Sequence, residues 1–348
     1  MEEKESLVSI VILNYNAGEF LVNCIQSVLE SDYSNIEIIV VDNASHDHSQ
    51  KKCKERFPNI KIIQNKKNLG YCEGNNIGLK DAGGEFLVVL NPDTEVKKDW
   101  LNKLFNAYRK FGDGLYQPKH LSLDEKDILM STGNMLNIFG FGYARGKGTL
   151  DENSFTDIEE ISYASGTCLF CSKKTMEKIG YLDPFVFLYH DDLDLGWRAA
   201  HLGIKSYFVP ESIIYHAESY ALRWNAKKFF WLERNRKYCL LTHYSKTTYS
   251  KIHLKLALVD FFVWMYYISK GFLLSKIRAE LDIIKNRKKI AEKYYELEKK
   301  KIISDKEIIM KFPDTLHVPG NVSSDNTNNL FNKIIGKLSK NAKKSLID

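Results

Sequence analysis

The stretch Phe86-Leu-Val-Val-Leu-Asn-Pro-Asp-Thr-Glu95 decides the fold of this chain of 348 residues. Its apolar half has the composition of a buried strand, and Pro92 ends that strand because proline cannot donate a hydrogen bond to a sheet. Asn91 and Asp93 then lie just past its carboxyl end, the edge of an open α/β sheet at which ligands bind. Their oxygen atoms suit a divalent cation, Mg²⁺ or Mn²⁺, that holds a diphosphate. An ordinary strand ending in a turn would show the same pattern, so the rest of the sequence is needed to distinguish a ligand site from a turn.

Strand and helix signals alternate around this stretch, which predicts a doubly wound α/β sheet with parallel strands. Apolar runs predict strands at Val8–Leu13, Glu37–Val41, Ile60–Gln64, Phe86–Leu90, Tyr163–Ser172, Lys205–Val209 and Ile213–His216. Helical spacing predicts helices at Gly18–Glu30, Asp47–Phe57, Asn75–Ala82, Asp99–Phe111, Thr175–Ile179 and from the acidic segment after Tyr189 to Leu202. Residues 117–162 give no clear pattern.

Charge and cysteine usage argue against two classes of function. The formal net charge is only +6, and ten Lys/Arg against five Asp/Glu lie between Lys276 and Lys301, so the main domain lacks the basic face that nucleic-acid binding requires. The six cysteines form no paired zinc pattern, because Cys168-x-x-Cys171 has no second pair. We interpret them as reduced, mostly buried thiols of a cytosolic protein. The amino terminus leads directly into a strand and does not resemble a signal peptide.

Polar side chains recur where the predicted strands end. The first two strands are followed by Asn14, Asn16, Asp42 and Asn43, which we expect to contact a base and a ribose directly. A second polar loop, with Asn68, Gly70 and Asn75, leads to a predicted helix start that suits a phosphate or an N-cap. Each residue alone fits turn chemistry, but their recurrence at one sheet edge favours a ligand site. No glycine-rich fingerprint follows the first strand, which weakens a dinucleotide oxidoreductase interpretation.

A second acidic cluster, His190-Asp-Asp-Leu-Asp194, opens a predicted helix. Its carboxylates repel one another, so their closeness favours a cation or a substrate nearby. A carboxylate here could remove a proton from an attacking hydroxyl group, whereas Asp194 could simply be an N-terminal helix residue. His216 ends a strand and would usually be structural; beside these acids it becomes a candidate metal ligand.

The carboxyl-terminal third predicts helices, and part of it suits a membrane surface. Trp224–Tyr244 is aromatic and basic, and Leu254–Leu274 is apolar over about the length that crosses a bilayer. Lys255, Asp260 and Lys270 interrupt this second stretch, and a central acid costs roughly 2.5 kcal/mol or more in hydrocarbon. We therefore expect it to lie on an anionic membrane surface rather than to cross it; packing on the main domain is the alternative.

Together these motifs resemble the family 2 glycosyltransferases, and their order is similar to that of the rhamnosyltransferase-like branch. The resemblance covers roughly Val8 to Ser219 and is carried by Val11-Ile-Leu-Asn-Tyr-Asn16, Val40-Val-Asp-Asn-Ala-Ser45, Asn68-Leu-Gly-Tyr71, Gly74-Asn-Asn76, Leu90-Asn-Pro-Asp-Thr94, Ser165-Gly-Thr167, Phe187-Leu-Tyr-His-Asp-Asp-Leu-Asp-Leu-Gly-Trp-Arg198 and Pro210-Glu-Ser-Ile-Ile-Tyr-His216. It implies a GT-A fold with a helical C-terminal extension. It also implies inverting transfer from a dTDP- or UDP-linked sugar to a lipid-linked or polysaccharide acceptor.

The resemblance also implies residue roles. Asp192 would be the general base with Asp191 beside it, and Asp42 would contact the nucleoside. The cation and the diphosphate would lie against Asp93, Asn91 and His216, with Gly166 in the nucleotide-sugar site. The chain departs from the family where Asp191 replaces a glutamate, His190 an aromatic residue and Gly196 a cysteine. Asn91 in place of an aspartate indicates a weaker dependence on metal.

We expect a catalytic domain over residues 1–222, a helical membrane-associating region over 223–312, and a linker with a basic tail over 313–348. Such a protein would be cytoplasmic and peripheral on the inner face of the cell membrane. Two other functions fit a similar sheet, namely a nucleotidyltransferase and a non-catalytic nucleotide-sugar binder. The first would carry a glycine-rich, basic loop after strand one, where this chain has Asn14-Tyr-Asn16.

Overall fold

The computed structural model describes residues 5–152, 154–217, 225–316 and 325–347. Within them the chain forms two compact units. The first comprises Met1–Asn134, Ala144–Gly196 and Ile204–Ala221, and the second Met135–Tyr143, Trp197–Gly203 and Leu222–Asp348.

The first unit is built on a mixed sheet with helices packed against it. Up to the last strand of this sheet, the elements of the chain follow in this order: β1 (Val8–Asn14), α1 (Glu19–Leu29), β2 (Ile36–Asp42), α2 (Ser49–Arg56), β3 (Lys61–Gln64), α3 (Gly70–Asp81), β4 (Phe86–Leu90), β5 (Thr94–Val96), α4 (Trp100–Phe111), β6 (Gly114–Ser122), β7 (Leu129–Ser131), β8 (Asn134–Leu136), β9 (Gly142–Ala144), β10 (Glu159–Ile161), β11 (Cys168–Ser172), α5 (Lys173–Ile179), α6 (Asp191–His201) and β12 (Lys205–His216). Most residues of β8 and β9, which pair with each other, and the last turn of α6 belong to the second unit. In the described part of the chain the main path of the sheet runs β10-β12-β6-β11-β4-β1-β2-β3.

The strands on one side of the sheet are parallel and end together, as the alternating pattern predicts. β1 pairs with β2 and with β4, and β2 pairs with β3, all in parallel. Asn14 lies opposite Asp42, and Asp42 lies opposite Gln64. The polar residues that follow these strands therefore reach the same edge of the sheet.

The sheet as a whole is mixed, because a later strand, whose direction the sequence does not predict, runs against its neighbours. β11 runs antiparallel between β4 and β6, with Cys168 opposite Leu90. The described residues between β6 and β11 form no helix, and a parallel neighbour of β6 would need a crossover connection. Because β11 runs in the reverse direction, the loop that leads into it lies at the edge where β4 ends. This loop is Ser165-Gly-Thr167, and the backbone N–H of Asn91 donates to the carbonyl of Thr167 at 2.9 Å.

Buried apolar residues hold the first unit together. Every residue of β1 and β4 is buried, as is typical of strands covered on both faces. Helix α4 buries Leu101, Leu104 and Phe105, the inward positions that its spacing predicts. The six cysteines of the chain are free and buried, in agreement with the sequence interpretation.

Helix α3 begins at Gly70, five residues before the predicted start, so the expected N-cap near Asn75 is wrong. Gly70 has a φ of +81°, and a Cβ atom there would lie 2.4 Å from the Phe187 ring. Only glycine gives both this left-handed backbone and this close approach. Tyr71 consequently lies in the first turn of the helix, and Asn75 lies inside it.

The second unit consists mainly of helices. They are α7 (Ala226–His243), α8 (Lys246–Ser269), α9 (Leu273–Lys285), α10 (Arg287–Lys300), α11 (Asp305–Lys311) and α12 (Asp325–Ile347). Helix α12 occupies part of the segment that the sequence suggested to be a linker and a tail. Trp224, the predicted start of the first helix of this region, and residues 321–324 of the expected linker lie outside the described residues.

The apolar stretch Leu254–Leu274 is not one helix, because α8 ends at Ser269 and α9 begins at Leu273. Gly271 in the connecting turn has a φ of +75°, which a continuous helix cannot contain. By length and composition α8 is the one described helix that could cross a membrane. Within its most apolar stretch of 18 residues, 22% is buried.

A buried network of ion pairs joins α7, α8 and α9. The ammonium group of Lys276, which is 0% exposed, lies 2.5 Å from Glu233, 2.9 Å from Asp260 and 2.7 Å from Glu280. Arg236 also contacts Glu233 and Asp260, and Lys237 pairs with Asp260 and Glu280. Three cations thus balance three carboxylates. The carboxylates of Glu233, Asp260 and Glu280 lie close enough together to hold a metal ion. The ammonium group of Lys276, however, contacts all three of them.

We predict that Lys276→Ala lowers the free energy of unfolding by roughly 3–5 kcal/mol, because it leaves three carboxylates with only two cations and so one buried negative charge uncompensated. Urea denaturation followed by far-ultraviolet circular dichroism measures this loss. Lys300→Ala is the matched control: Lys300 pairs with Glu296 at 2.8 Å, but both side chains are about half exposed. Its substitution should cost less than about 1 kcal/mol. Equal losses in the two variants would contradict a stabilising role for the network.

Candidate active site

The loops after β1 and β2 are joined by the side chains of Asn14 and Asp42, which are both fully buried. The amide of Asn14 donates to Asp42 Oδ1 at 2.7 Å and to the hydroxyl of Ser49 at 2.8 Å. Asp42 Oδ2 accepts from the backbone N–H of Ser45 at 3.1 Å and from the amide of Gln64. The carboxylate therefore already accepts three hydrogen bonds from the protein, out of about four that it can take.

Asn16 connects the same two loops from the exposed side. Its Oδ1 accepts from the backbone N–H of His46 at 2.7 Å, and its own N–H donates to Ser45 Oγ at 3.0 Å. Asn16 has a φ of 56°, a left-handed conformation that asparagine tolerates better than most residues. Its bonds fix the shape of the loop after β1.

Asn43 connects the loop after β2 to the start of α3. Its amide nitrogen donates to Asn68 Oδ1 at 3.0 Å and to the carbonyl of Gly70 at 3.1 Å. Its Oδ1 accepts from the N–H of Leu69 at 3.0 Å and from the amide of Asn65 at 3.1 Å. Asn43 is 1% exposed, so it acts on the site through the loops that it holds.

Asn75 contributes a different kind of group. Its amide nitrogen donates to the carbonyl of Tyr71 at 3.0 Å. Its Oδ1 is buried and has no hydrogen-bond partner among the described residues. Burying a polar atom in this way costs free energy, so such an atom marks a place where a ligand or a water molecule could bind.

The two predicted metal ligands lie together. β12 pairs with β5, which places His216 opposite Thr94 and next to Asp93. The distance from His216 Nε2 to Asp93 Oδ2 is 3.4 Å. The other oxygen, Asp93 Oδ1, is buried and has no hydrogen-bond partner among the described residues. One carboxylate oxygen with no partner and one imidazole nitrogen beside it form a donor set that suits Mn²⁺ or Mg²⁺.

His120 also lies near this pair and was not predicted from the sequence. It pairs with Ile214 in the β6–β12 ladder, two residues from His216. Burial, together with the charge of His216, lowers the pKa of His120 to about 3, so its imidazole is neutral at physiological pH. His120 falls in the stretch 117–162, where no sequence pattern predicts an element.

The acidic cluster opens helix α6, as predicted. The N–H of Gly166 donates to Asp192 Oδ2 at 3.1 Å, and the N–H of Leu193 donates to Asp192 Oδ1 at 2.8 Å. Asp191 is buried, whereas Asp192 keeps partial access to solvent. Of these two acids, Asp192 is therefore the one that solvent reaches.

The protein environment makes both of these carboxyl groups more basic. Burial, and then the neighbouring charge of Asp192, raise the pKa of Asp191 well above its usual range. Burial also raises the pKa of Asp192, although hydrogen bonds from Gly166 and Leu193 oppose that shift. Two adjacent carboxyl groups avoid ionising together, so the pair holds a proton more readily than an isolated aspartate does.

Tyr71 links the two acidic stretches. Its hydroxyl group donates to the carbonyl of Gly166 at 2.6 Å. Burial raises the pKa of Tyr71. The charges of Asp191 and Asp192 raise it further. The Tyr71 hydroxyl group is bonded to the same glycine whose N–H donates to Asp192. The sequence signal for Tyr71 was its place at the end of the motif Asn68-Leu-Gly-Tyr71.

Comparison with known proteins shows which family this sequence is similar to. The model of glycosyl transferase family 2 matches residues 9–180. The low-salt glycan biosynthesis hexosyltransferase Agl10 of Haloferax volcanii is 28% identical over 205 residues, which cover 57% of this chain and 63% of that protein. The N-acetylglucosaminyl-diphospho-decaprenol L-rhamnosyltransferase of Mycobacterium tuberculosis is 22% identical over 241 residues, or 62% of this chain and 77% of that protein.

Two solved structures have a similar fold. GalNAc-T7 with UDP, GalNAc and Mn²⁺ has a TM-score of 0.60 and 18% identity, over 73% of this chain and 52% of that one. Residues 1–349 of S. aureus TarS, in complex with UDP-GlcNAc, have a TM-score of 0.53 and 14% identity, over 97% of this chain and 90% of that one. The chain therefore carries a family 2 glycosyltransferase domain with the GT-A fold.

Proposed function

We propose that this protein is an inverting glycosyltransferase that moves a sugar from a dTDP- or UDP-linked donor to a hydroxyl group of a lipid-linked or polysaccharide acceptor. The observation that carries this proposal is the meeting of the two acidic stretches around the loop Ser165-Gly-Thr167. Asn91 is bonded to Thr167 on one side of that loop, and Asp192 is bonded to Gly166 on the other. A diphosphate near Asp93 and an acceptor near Asp192 would then lie within one site.

Asp192 is the general base in this proposal. Its carboxylate takes the proton of the acceptor hydroxyl group while the oxygen forms a bond to the anomeric carbon. The bond from that carbon to the diphosphate breaks on the opposite face, and the nucleoside diphosphate leaves. One displacement of this kind inverts the anomeric configuration. The raised pKa of Asp192 makes it a stronger base than an exposed aspartate.

Asp93 and His216 are the residues that would hold a divalent cation, with Asn91 beside them. The buried Asp93 Oδ1 without a hydrogen-bond partner supports this assignment, because a cation would satisfy it. When bound, the cation offsets the charge that develops on the leaving diphosphate. The similar structure of GalNAc-T7 contains UDP and Mn²⁺, which supports the same class of cofactor.

The nucleoside would lie against the loops that Asn14, Asn16, Asp42 and Asn43 hold in place, and the diphosphate near Asn68, Gly70, Asn75 and Gly166. TarS in complex with UDP-GlcNAc supports a UDP-linked donor. The relative named as a decaprenol-linked rhamnosyltransferase supports a lipid-linked acceptor and leaves dTDP-rhamnose as a second donor. A nucleotidyltransferase is less consistent with these loops, because the turn after β1 is fixed by side chains and is not a glycine-rich phosphate loop.

We predict that Asp192→Asn lowers transfer by at least roughly 100-fold, because the amide cannot accept the proton. Release of UDP or dTDP from a panel of nucleotide sugars, with a lipid-linked acceptor present, measures turnover. UDP should still raise the melting temperature of the variant, since the donor loops are unchanged. The exposed Asp124→Asn is the control. Turnover that survives in Asp192→Asn would remove Asp192 as the base. A wild-type protein that binds donors but never releases nucleotide would be a binding protein.

We predict that Asp93→Ala abolishes the rise in melting temperature that Mn²⁺ produces in the presence of UDP, and that His216→Ala reduces it. Each substitution removes one donor atom from the pair. Thermal denaturation with and without Mn²⁺ measures the effect. His253→Ala, an exposed histidine on α8, is the control and should respond as wild type does. A full Mn²⁺ response in Asp93→Ala would place the cation elsewhere.

We also propose that the helical region, residues 223–312, attaches the enzyme to the cytoplasmic face of the cell membrane. Helices α8 and α9 each expose a row of large apolar side chains at helical spacing. The row on α8 is Leu254, Leu258, Phe261, Phe262 and Met265, and the row on α9 is Leu274, Ile277, Leu281 and Ile284. Exposed apolar surface of this extent is typical of a binding face.

Charge supports an anionic lipid as the partner of these rows. The acids of residues 246–290 are Asp260, Glu280 and Asp282, and all three are in ion pairs within the second unit. The cations Lys251, Lys270, Arg278, Lys285, Arg287, Lys288 and Lys289 are exposed. The accessible charge around the apolar rows is therefore positive, and each such cation gains roughly 1 kcal/mol near an anionic membrane.

The ion network favours a helix that lies on the membrane over one that crosses it. Asp260 is near the middle of α8 and is bonded to Lys276 on α9. Insertion of α8 alone would separate this pair and leave a carboxylate in hydrocarbon, which is costly. A helix that keeps the bond can still place its apolar row into the interface.

We predict that wild-type protein sediments with vesicles that contain phosphatidylglycerol. The double variant Leu258→Asp/Leu281→Asp should bind at least roughly tenfold more weakly, because each substitution places a charge in the apolar row. Leu150→Asp is the control, since Leu150 is 57% exposed, close to the 59% of Leu281, but lies in the first unit. Equal binding by all three proteins, or no binding by wild type, would refute membrane attachment through these helices.

A further inference from the structure

Tyr71, at the start of α3, contacts the loop that is bonded to Asp192. Its hydroxyl group donates to the carbonyl of Gly166 at 2.6 Å. The N–H of the same Gly166 donates to Asp192 Oδ2 at 3.1 Å. The phenol of Tyr71 and the carboxylate of Asp192 thus hold one residue through its two backbone groups.

The backbone of Tyr71 holds the acidic helix from a second direction. Its N–H donates to the carbonyl of Phe187 at 2.6 Å. Phe187, Tyr189 and His190 have φ values of 65°, 64° and 62°, a left-handed conformation that such residues rarely adopt. Strained backbone of this kind persists only where surrounding contacts impose it. The bond from Tyr71 is one such contact, and it reaches Phe187, four residues before the start of α6.

A side chain at residue 166 would displace its neighbours. A Cβ atom there would lie 2.9 Å from the hydroxyl oxygen of Tyr71 and 3.1 Å from Asp191 Oδ2. The phenol and the carboxyl pair therefore come close to the peptide because residue 166 has no side chain. This explains the need for glycine in Ser165-Gly-Thr167.

We propose that Tyr71 is a positioning residue for the general base Asp192, which it holds in place through the Gly166 peptide. The inference rests on the proposed role of Asp192. The phenol remains a neutral donor at physiological pH, because burial and the nearby aspartates raise its pKa. Without the hydroxyl group the Gly166 peptide would be free to move away from Asp192. The carboxylate would then lose both its alignment and a hydrogen bond that favours its charged form.

The test is Tyr71→Phe, which removes one oxygen atom. We expect kcat to fall by roughly tenfold to a hundredfold, because a misplaced catalytic group is costly, while the KM for the donor stays within roughly twofold. We also expect the acid limb of the pH–kcat/KM profile to move to higher pH. The reason is that Asp192 without the Gly166 bond would protonate more readily, and the protonated carboxyl group cannot act as a base.

Tyr116→Phe is the matched control. The Tyr116 hydroxyl group donates to the carbonyl of Gly112 at the same 2.6 Å, in the interior of the same unit. Its loss should lower stability by a similar amount and leave kcat and the pH profile unchanged. A kcat loss and a pH shift of equal size in both variants would mean that Tyr71 is merely structural.

Gly166→Ala provides a second route to the same result, since its Cβ atom would displace the groups on either side. We expect it to lower kcat by itself, and the Tyr71→Phe/Gly166→Ala variant to be no worse than the poorer single variant, because both changes break one connection. Additive losses would overturn the proposal. A wild-type kcat and a wild-type pH profile in Tyr71→Phe would also overturn it. If Asp192→Asn is inactive in the same assays, Asp192 remains the proposed base.

Discussion

Leu90, at the end of β4, lies opposite Cys168, at the start of β11, because β11 runs against its two neighbours. This reversal brings an incoming loop to the edge where the parallel strands finish. The loop meets Asn91 on one side and Asp192 on the other. Residues from three distant parts of the sequence thereby reach one place, and a backbone N–H group takes part in each of the two hydrogen bonds that hold them.

Much of this arrangement could be predicted from the sequence. The strands β1, β2 and β4 and the helices α1 and α4 are visible as local periodicity, and the polar residues after the strands identify the edge that carries the site. Asp93 and His216 were expected near each other, and the structure places them 3.4 Å apart. The strands and helices depend on spacing within short segments, which a sequence displays directly, whereas the closeness of Asp93 and His216 was implied by the resemblance to the family.

The remaining features depend on contacts between distant segments. The direction of β11 is set by its neighbours, and nothing within Cys168–Ser172 specifies it. The early start of α3 depends on space left by Phe187, and the division of the apolar stretch depends on the backbone of Gly271. Asn14 and Asn43 are polar residues of the kind that contact ligands, but their buried side-chain amides form hydrogen bonds that hold the loops after β1 and β2 in place. His120 becomes notable only once β6 and β12 are paired.

The acids of α8 and α9 illustrate how one set of bonds determines two properties. Because Asp260 and Glu280 neutralise Lys276 inside the bundle, they contribute little negative charge outside it. The surface of these helices is left with apolar side chains and cations. Internal packing and external charge are therefore coupled.

The six buried thiols have a practical consequence. Burial raises the pKa of Cys24, Cys53 and Cys171 to about 12, so almost no thiolate forms at neutral pH. Since the thiolate is the species that alkylating reagents attack, the folded chain should be nearly inert toward maleimides. A single cysteine introduced on the surface would then accept a fluorescent dye selectively, without prior removal of the native ones.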